Sequence, residues 1–471
     1  MKMHVGASWV DKDERIDVLN PYDGSIVDTV PKSEASDIDR ALATAVRGAE
    51  IMRKLTGYER YKILHKAADL MSERAESFAE TITLEGGKVK AEAMIEVERA
   101  AEIIYLSAEE AKRLGSEVIP LDGAPGVTGK FGFTIRVPCG IVAAISPFNF
   151  PLHLVCHKVG PGIAAGNAVV LKPATDTPLS GLRVVEIMLE AGCPPEAIQC
   201  LTGSGAEIGD ALVSDPRVRK ITFTGSRDVG EHICRTAGLK KVTMELGSNS
   251  PVIVMPDADM NKVTTALAST GYAHAGQVCI STQRVYASRE IYSDFVEAFT
   301  ESVKGITTGD PREDGVKMGP MIRESDAVRV EEWVKEAVAG GALLVAGGER
   351  NGTLMAPTLL ADVKPEMRIS CDEVFGPAVG VTPVDDIDEA IAQANSTNYG
   401  LSTAIFTENL DWAMKFALEA EAGNIHLNWG TQWRADLMPY GGLKDSGMGK
   451  EGPKYAVEEM TETKMVVIHQ S

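Results

Sequence analysis

The chain has 471 residues, 44% hydrophobic and 24% charged. This balance is close to that of ordinary globular proteins and excludes wholesale disorder, collagen-like repeats and coiled coil. Lys and Arg total 47 against 67 Asp and Glu, a formal charge of −20, which argues against nucleic-acid and anionic-membrane partners but leaves room for a local basic pocket. At ~100–200 residues per domain the length predicts two to four domains, with a core large enough to need no disulfide or metal staple. No apolar run stays free of charge for ~18 residues, so no membrane span is expected. The start, MKMHVGASWVDKDER, has no apolar core and no cleavage site, so no secretory leader is expected either. The cysteines Cys139, Cys156, Cys193, Cys200, Cys234, Cys279 and Cys371 are dispersed, odd in number and without a CxxC pair. That pattern fits a reducing cytoplasm rather than a disulfide framework or a thiolate zinc site.

In chain order, residues 17–31 predict two short strands around the turn at Asp23-Gly24. Residues 33–114 read as helical. Ser36 or Asp37 is the expected cap before ALATAVRGAEIM, one helix runs from Tyr58 to Gly87, and another from about Lys90 to Leu114. Residues 115–138 turn to Gly, Pro and alternating apolar positions, a hairpin-like β segment. From 140, the strand-like runs GIVAAISP, NAVVLKPA, IQCLTG, VRKITFTGS and KKVTMELG alternate with helical stretches, which predicts a parallel, doubly wound sheet. A second α/β block begins at SPVIVMPDAD and continues to about 430. The tail ETKMVVIHQ alternates like an edge strand, and an exposed edge needs a partner.

Several residues stand where chemistry is possible. Cys279, in GQVCIS, lies on a loop between a helix and a strand among small and polar neighbours. A thiolate attacks carbonyl carbon well once its proton is removed, although composition alone favours no one cysteine. Glu245 ends a strand in MELGSNSP. Most strand-end carboxylates are simply solvated, but one held in an apolar cleft has a raised pKa and serves as a base near neutral pH. Asn149, in SPFNFP, reads as a turn residue or as an amide donor to a developing oxyanion. Lys172, in LKPATDTP, is one lysine among many, yet it ends a strand at the edge where doubly wound sheets bind ligands. Gly225 and Gly230, in FTGSRDVG, join a strand to a helix whose first amides suit a pyrophosphate. Their spacing is not GxGxxG, and the run Gly203, Gly205, Gly209 also misses it, so either motif alone is weak. His153 and His157 are four apart without an HExxH glutamate, which reads as a helix face, and no metal is expected.

In their order, SPFNFP, LKPA, FTGS, MELGSNSP, GQVCIS, EVFGP at 373–377 and MPYGGLKDSGMGKEG resemble the aldehyde dehydrogenase superfamily across nearly the whole chain. The resemblance implies an α/β fold in three parts. These are a doubly wound cofactor-binding domain over about 1–118 and 139–245, an α/β catalytic domain over about 246–445, and a β oligomerisation arm from 119–138 and 446–471. It implies homodimers or homotetramers. It also implies that Cys279 is the nucleophile, Glu245 the general base, and Asn149 an oxyanion donor together with the backbone N–H of Cys279. On the cofactor side it implies Lys172 at the adenosine ribose, Gly225 and Ser226 at the pyrophosphate, and Glu373 at the nicotinamide ribose with Phe375 beside it. Ser146, Phe148, Thr175 and Gly247 complete that set. The cofactor implied is NAD or NADP: many NAD-preferring relatives carry Glu where Thr175 stands, and without it repulsion of a 2′-phosphate weakens, while Asp176 keeps NAD in play.

The implied activity is oxidation of a small aldehyde to the acid through a Cys279 thiohemiacetal and thioester. Relatives that acylate coenzyme A tend to lack the base at the Glu245 position, and a non-catalytic nucleotide-binding protein would not need the Asn, Glu, Cys set. In the family, Arg99, His153 and Arg434 border the substrate funnel. They predict an anionic substrate, a phosphono-, sulfo- or carboxy-aldehyde, with Arg434 gripping the anion through two hydrogen bonds. This pattern resembles phosphonoacetaldehyde dehydrogenases and members acting on semialdehydes or lactaldehyde. Val278 departs from it, because some such enzymes place arginine there. The alternative is a broad-specificity neutral aldehyde or lactaldehyde dehydrogenase in which Arg99 pairs with Glu96 or Glu102 and Arg434 with Asp436.

Overall fold

Strands buried on both faces read as continuous apolar runs, and Ile141–Ile145 and Ala168–Lys172 are buried at every position. In the computed structural model, which describes residues 1–469, they form the middle of an eight-stranded sheet. Ile198–Cys200, Ala168–Lys172, Ile141–Ile145, Val218–Thr224 and Lys241–Glu245 lie side by side in that order, all parallel. The chain order reverses between Ile141–Ile145 and Val218–Thr224, so a crevice opens at the carboxyl ends of these strands. The sheet is not parallel throughout. Met3–His4 and Trp9–Val10 extend one edge and Gly447–Met448 the other, all antiparallel. These short segments arrive without the crossover helix that a parallel strand needs.

The helical region departs from expectation in two places. The helix Ala35–Lys54 is capped by Glu34 rather than by Ser36 or Asp37, and Asp37 instead closes a reciprocal capping box. The stretch expected as one helix breaks at Arg74 into Gly57–Glu73 and Ala75–Gly86, because Arg74 (φ −108°, ψ 21°) leaves helical geometry. The long helix Lys90–Arg113 packs on His153–Ala164. Buried carboxylates at this end of the molecule hold loops in place. Glu96 accepts the N–H groups of Leu152 and His153, Glu85 those of Leu179 and Ser180, and Glu92 that of His274. Each satisfies donors that a helix or turn start leaves open. Lys88 pairs with Glu96 and lies 3.6 Å from the centre of the Phe150 ring, under the SPFNFP loop.

The second block is a seven-stranded sheet ordered Leu343–Ala346, Thr358–Ala361, Ala378–Val384, Arg284–Ser288, Pro251–Val254, Ser402–Phe406, Asn424–Leu427. Only its first pair is antiparallel. Val118–Ile119, Lys130–Pro138 and Thr461–His469 form a separate antiparallel sheet, and the tail strand pairs along its whole length with Lys130–Pro138. The expected arm boundary at 446 is corrected. Gly447–Met448 belongs to the eight-stranded sheet, and Pro453–Glu459 packs against Lys90–Arg113 and His153–Ala164, with Val457 and Met460 in their core. Of the C-terminal residues described, only Thr461–His469 joins the small sheet. Among the described residues no helix is long and apolar enough to cross a membrane.

Candidate active site

The loop that carries Cys279 begins under backbone constraint. After the helix Met260–Tyr272, His274 (φ 48°) and Ala275 (φ 54°) adopt left-handed conformations that residues with a side chain rarely take. Gly276 follows at φ 68°, and a Cβ there would collide with the carbonyl of Gly376. The Gln277 side chain locks the turn: its Nε2 donates to the carbonyl of His274 (3.1 Å), and its Oε1 accepts from the N–H of Ile322 (2.9 Å). Cys279 emerges half-buried among Val278, Ile280, Leu401, Tyr440, Phe150 and Met438. Burial pushes its thiol up to about 12, opposed by the Tyr440 hydroxyl 3.4 Å from Sγ. Asn149 Nδ2 donates to the carbonyl of Gln277 (2.8 Å), tying the SPFNFP loop to the cysteine turn. An amide has two N–H donors, so one remains for a ligand.

Glu245 is the last residue of its strand, and its carbonyl accepts the N–H of Gly225 (3.1 Å). The residue is 3% exposed, and among the described residues neither carboxylate oxygen has a hydrogen-bond partner. Burial, reinforced by the charge of Glu451, raises its pKa well above the usual carboxylate range. A carboxyl held in this way is a stronger base, once ionised, than an exposed one. Glu451 titrates the other way. Lys158 Nζ lies 3.2 Å from its Oε1 and Arg434 Nη1 donates to its Oε2 at 3.1 Å, so it stays ionised well below the ordinary range despite its burial.

The residues expected around the cofactor line the carboxyl ends of the parallel strands. Lys172 is buried, donates to the carbonyl of Pro173 (2.9 Å) and is lowered by burial to about 8. Thr175 Oγ1 donates to the carbonyl of Gly203 (3.2 Å), while Asp176 is taken up by Arg323, whose Nε is 3.1 Å away. Ser226 starts the helix Arg227–Ala237 but its side chain does not cap it, which leaves the first amides for an anion. The Ser146 hydroxyl is buried without a partner. Glu373 accepts the N–H of Ser248 (2.9 Å) and is raised to about 7 by burial. Gly247 lies against that carboxylate so closely that any Cβ would strike it. Phe148 and Phe375 meet edge to face at 5.8 Å. A lysine for one ribose, open helix amides for the pyrophosphate and a buried carboxylate for the other ribose are a set of groups that fits a dinucleotide.

Arg99, His153 and Arg434 do come together, but through Asp436, which the sequence reading offers only as a partner for Arg434. Arg99 holds Asp436 with Nε at 3.1 Å and Nη2 at 2.7 Å, rather than pairing with Glu96 or Glu102, and His153 Nε2 lies 3.0 Å from the same carboxylate. The two-pronged grip expected of Arg434 is not available. Its Nη1 is on Glu451, its Nη2 is on His157 Nδ1 (3.2 Å), and its guanidinium carbon lies 3.8 Å from the centre of the Tyr440 ring. Among the described residues its Nε has no hydrogen-bond partner, although Asp436 Oδ1 lies 3.8 Å from it. His153, His157 and Asp436 bring three potential metal ligands within 4.8 Å of one another. Because a guanidinium only donates, His157 accepts at Nδ1 and carries its hydrogen on Nε2, which stands 3.5 Å from Asp436 Oδ1, while His153 Nε2 lies 3.0 Å from the same oxygen. Tyr440, Glu451, Lys158 and Gln277 are members of the site that sequence reasoning does not single out. Tyr440 and Glu451 stand in MPYGGLKDSGMGKEG and Gln277 in GQVCIS, so those motifs carried a signal for them, whereas Lys158 stands in none of the motifs.

Comparison with known proteins agrees with this geometry. The aldehyde dehydrogenase family pattern matches residues 9–466. The 3-sulfolactaldehyde dehydrogenase of Priestia megaterium is 47% identical over 467 residues, covering 99% of this chain and 98% of the relative. The lactaldehyde dehydrogenase of Methanococcus maripaludis is 37% identical over 471 residues, covering 99% and 100%. The crystal structure of glyceraldehyde-3-phosphate dehydrogenase from Methanocaldococcus jannaschii, complexed with NADP, superposes with a TM-score of 0.94 at 37% identity, covering 98% of this chain and 100% of that one. A thiol, a buried carboxyl and an amide thus meet at the mouth of a dinucleotide crevice in a chain that matches one family from end to end, and that chain belongs to the aldehyde dehydrogenase family as an NAD(P)-dependent enzyme.

Proposed function

We propose that the enzyme oxidises a small aldehyde carrying an anionic group, a sulfo-, phosphono- or carboxy-aldehyde, to the carboxylic acid. The observation that carries this reading is the charge balance beside Cys279. Arg99 and Arg434 gather on Asp436, and Arg434 and Lys158 on Glu451, so three cations share two carboxylates, and the Arg434 guanidinium covers the ring of Tyr440, whose hydroxyl lies 3.4 Å from Cys279 Sγ. The names of relatives support it: a sulfolactaldehyde and a glyceraldehyde phosphate both carry an anion. The neutral reading, lactaldehyde, is favoured by one feature, the two hydrogen bonds that occupy Arg99 on Asp436.

In the proposed reaction the Cys279 thiol gives its proton to solvent water, and the sulfur forms a bond to the aldehyde carbon as the C=O π pair moves onto oxygen. Asn149, through its free amide N–H, and the backbone N–H of Cys279 hold the oxyanion, an interaction worth about 3–4 kcal/mol per donor. NAD or NADP, when bound, supplies the acceptor for the hydride. Lys172, Thr175, Ser146, Phe148, the Gly225-Ser226 turn, Gly247, Glu373 and Phe375 hold it. The acyl group is left as a thioester on Cys279. Glu245, as carboxylate, takes a proton from water while the water oxygen attacks the thioester carbon, and the C–S bond breaks to release acid and thiolate.

Arg99 is 30% exposed, so the loss on its removal is moderated by solvent. Arg99→Ala is expected to raise the KM for 3-sulfolactaldehyde by about tenfold and to leave that for propanal within about twofold. Equal effects on the two aldehydes would remove the anion-binding role. The assembly proposed is a homodimer or homotetramer built on the arm, whose Phe131, Met465, Val467 and Ile468 are exposed. Truncation from Thr463 should lower the mass measured by light scattering, and an unchanged mass would place the interface elsewhere. The free thiols fit a cytoplasmic setting.

A further inference from the structure

Among the described residues, the groups that act most on the Cys279 thiol include no histidine or lysine. Burial opposes ionisation most and the carboxyl groups of Glu245 and Glu373 add to it, while Tyr440 and Arg434 act in its favour. Tyr440 Oη lies 3.4 Å from Sγ, and both side chains belong to one buried cluster. The tyrosine is held from two sides. Its backbone exchanges both hydrogen bonds with Glu451 (3.1 and 2.7 Å), and its ring is covered by the Arg434 guanidinium at 3.8 Å. Glu451 and His157 in turn fix that guanidinium.

We propose that Tyr440 is a catalytic residue of this enzyme, whose phenol hydroxyl donates a hydrogen bond to the Cys279 sulfur and carries part of its negative charge before attack and again when the thiolate leaves. A thiolate can only accept, so the direction of the bond is set once the sulfur ionises. Burial keeps the phenol protonated, so it remains a donor throughout. The cation over the ring draws electron density from it and strengthens the donor. Arg434 acts through Tyr440 and is a positioning residue. No proton leaves Tyr440 in this scheme; it stabilises charge without transferring any.

The test is alkylation of the resting enzyme by iodoacetamide from pH 6 to 10, read as modification of the peptide containing Cys279, so it is independent of which aldehyde is the substrate. Tyr440→Phe keeps the ring under Arg434 and removes only the hydroxyl. Over this range the thiol lies below its midpoint, so the rate reports the thiolate fraction, and a lost charge-assisted hydrogen bond should slow alkylation by about tenfold at every pH. The amplitude of NADH or NADPH binding and the thermal midpoint should stay near wild type, and kcat should fall more than KM changes. An unchanged alkylation rate in a folded Phe variant would overturn the proposal. Should that variant fail to fold, 3-fluorotyrosine placed at 440, a more acidic phenol of nearly the same shape, should speed alkylation. An unchanged rate there would overturn the proposal equally.

Discussion

Cys279→Ser should reduce aldehyde oxidation by about 10⁴-fold or more while leaving NAD and NADP dissociation constants within about twofold. A serine hydroxyl is a far weaker nucleophile than a thiolate, and the hydroxyl 3.4 Å from that position, the buried phenol of Tyr440, cannot serve as its base. The cofactor residues sit on other loops, and Glu373 is anchored through Ser248 rather than through the cysteine turn. Turnover by the serine variant within an order of magnitude of wild type would move the nucleophile to another cysteine.

The second large effect belongs to the return half of the reaction. Glu245→Gln should give one burst of reduced nicotinamide equal to the enzyme concentration and then a stall, with steady-state turnover down by about 10²–10⁴-fold. The amide is close in size to the carboxyl that the site already buries, so the fold should tolerate it. What it lacks is the ability to take a proton from water. The pH profile follows from the same residue. Burial raises the Glu245 pKa above its ordinary value of 4.5, so the carboxylate form grows as pH rises through that raised value. The deacylation rate of the wild type should climb with pH on the same limb, and in the Gln variant that limb should vanish. Intact-mass measurement should find the acyl group on the stalled enzyme. Loss of the burst itself would assign Glu245 to the first half of the reaction.

The parts of the fold that were legible from residues alone are those with strong local patterning. The runs IVAAI at 141–145 and AVVLK at 168–172 are strands buried at every position, which is why they read as a parallel sheet. The break at Arg74 was not legible, because amphipathic periodicity runs through it and only the backbone geometry of one residue interrupts it. Gly447–Met448 was missed for a similar reason: two residues carry no period, and their strand exists only because Met244 and Glu245 are there to pair with. In the site, Cys279, Glu245 and Asn149 stand in short motifs on loops that end elements, where sequence says most. The fate of Arg434 could not be read that way. Its partners Glu451 and His157 are 17 and 277 positions away, and they, rather than its neighbours in GTQWRADLMPYGG, decide which of its nitrogens are free. Asp436 likewise gathers Arg99 and His153 from across the chain.

The central claim, that this aldehyde dehydrogenase selects an anionic substrate, is tested most directly by kcat/KM of the wild-type enzyme for 3-sulfolactaldehyde and for propanal, measured side by side with saturating NAD and again with NADP. The charge balance around Asp436 predicts at least about tenfold preference for the anionic aldehyde, shrinking as salt is raised because part of the cluster is exposed. A kcat/KM for propanal equal to or above that for 3-sulfolactaldehyde would contradict it.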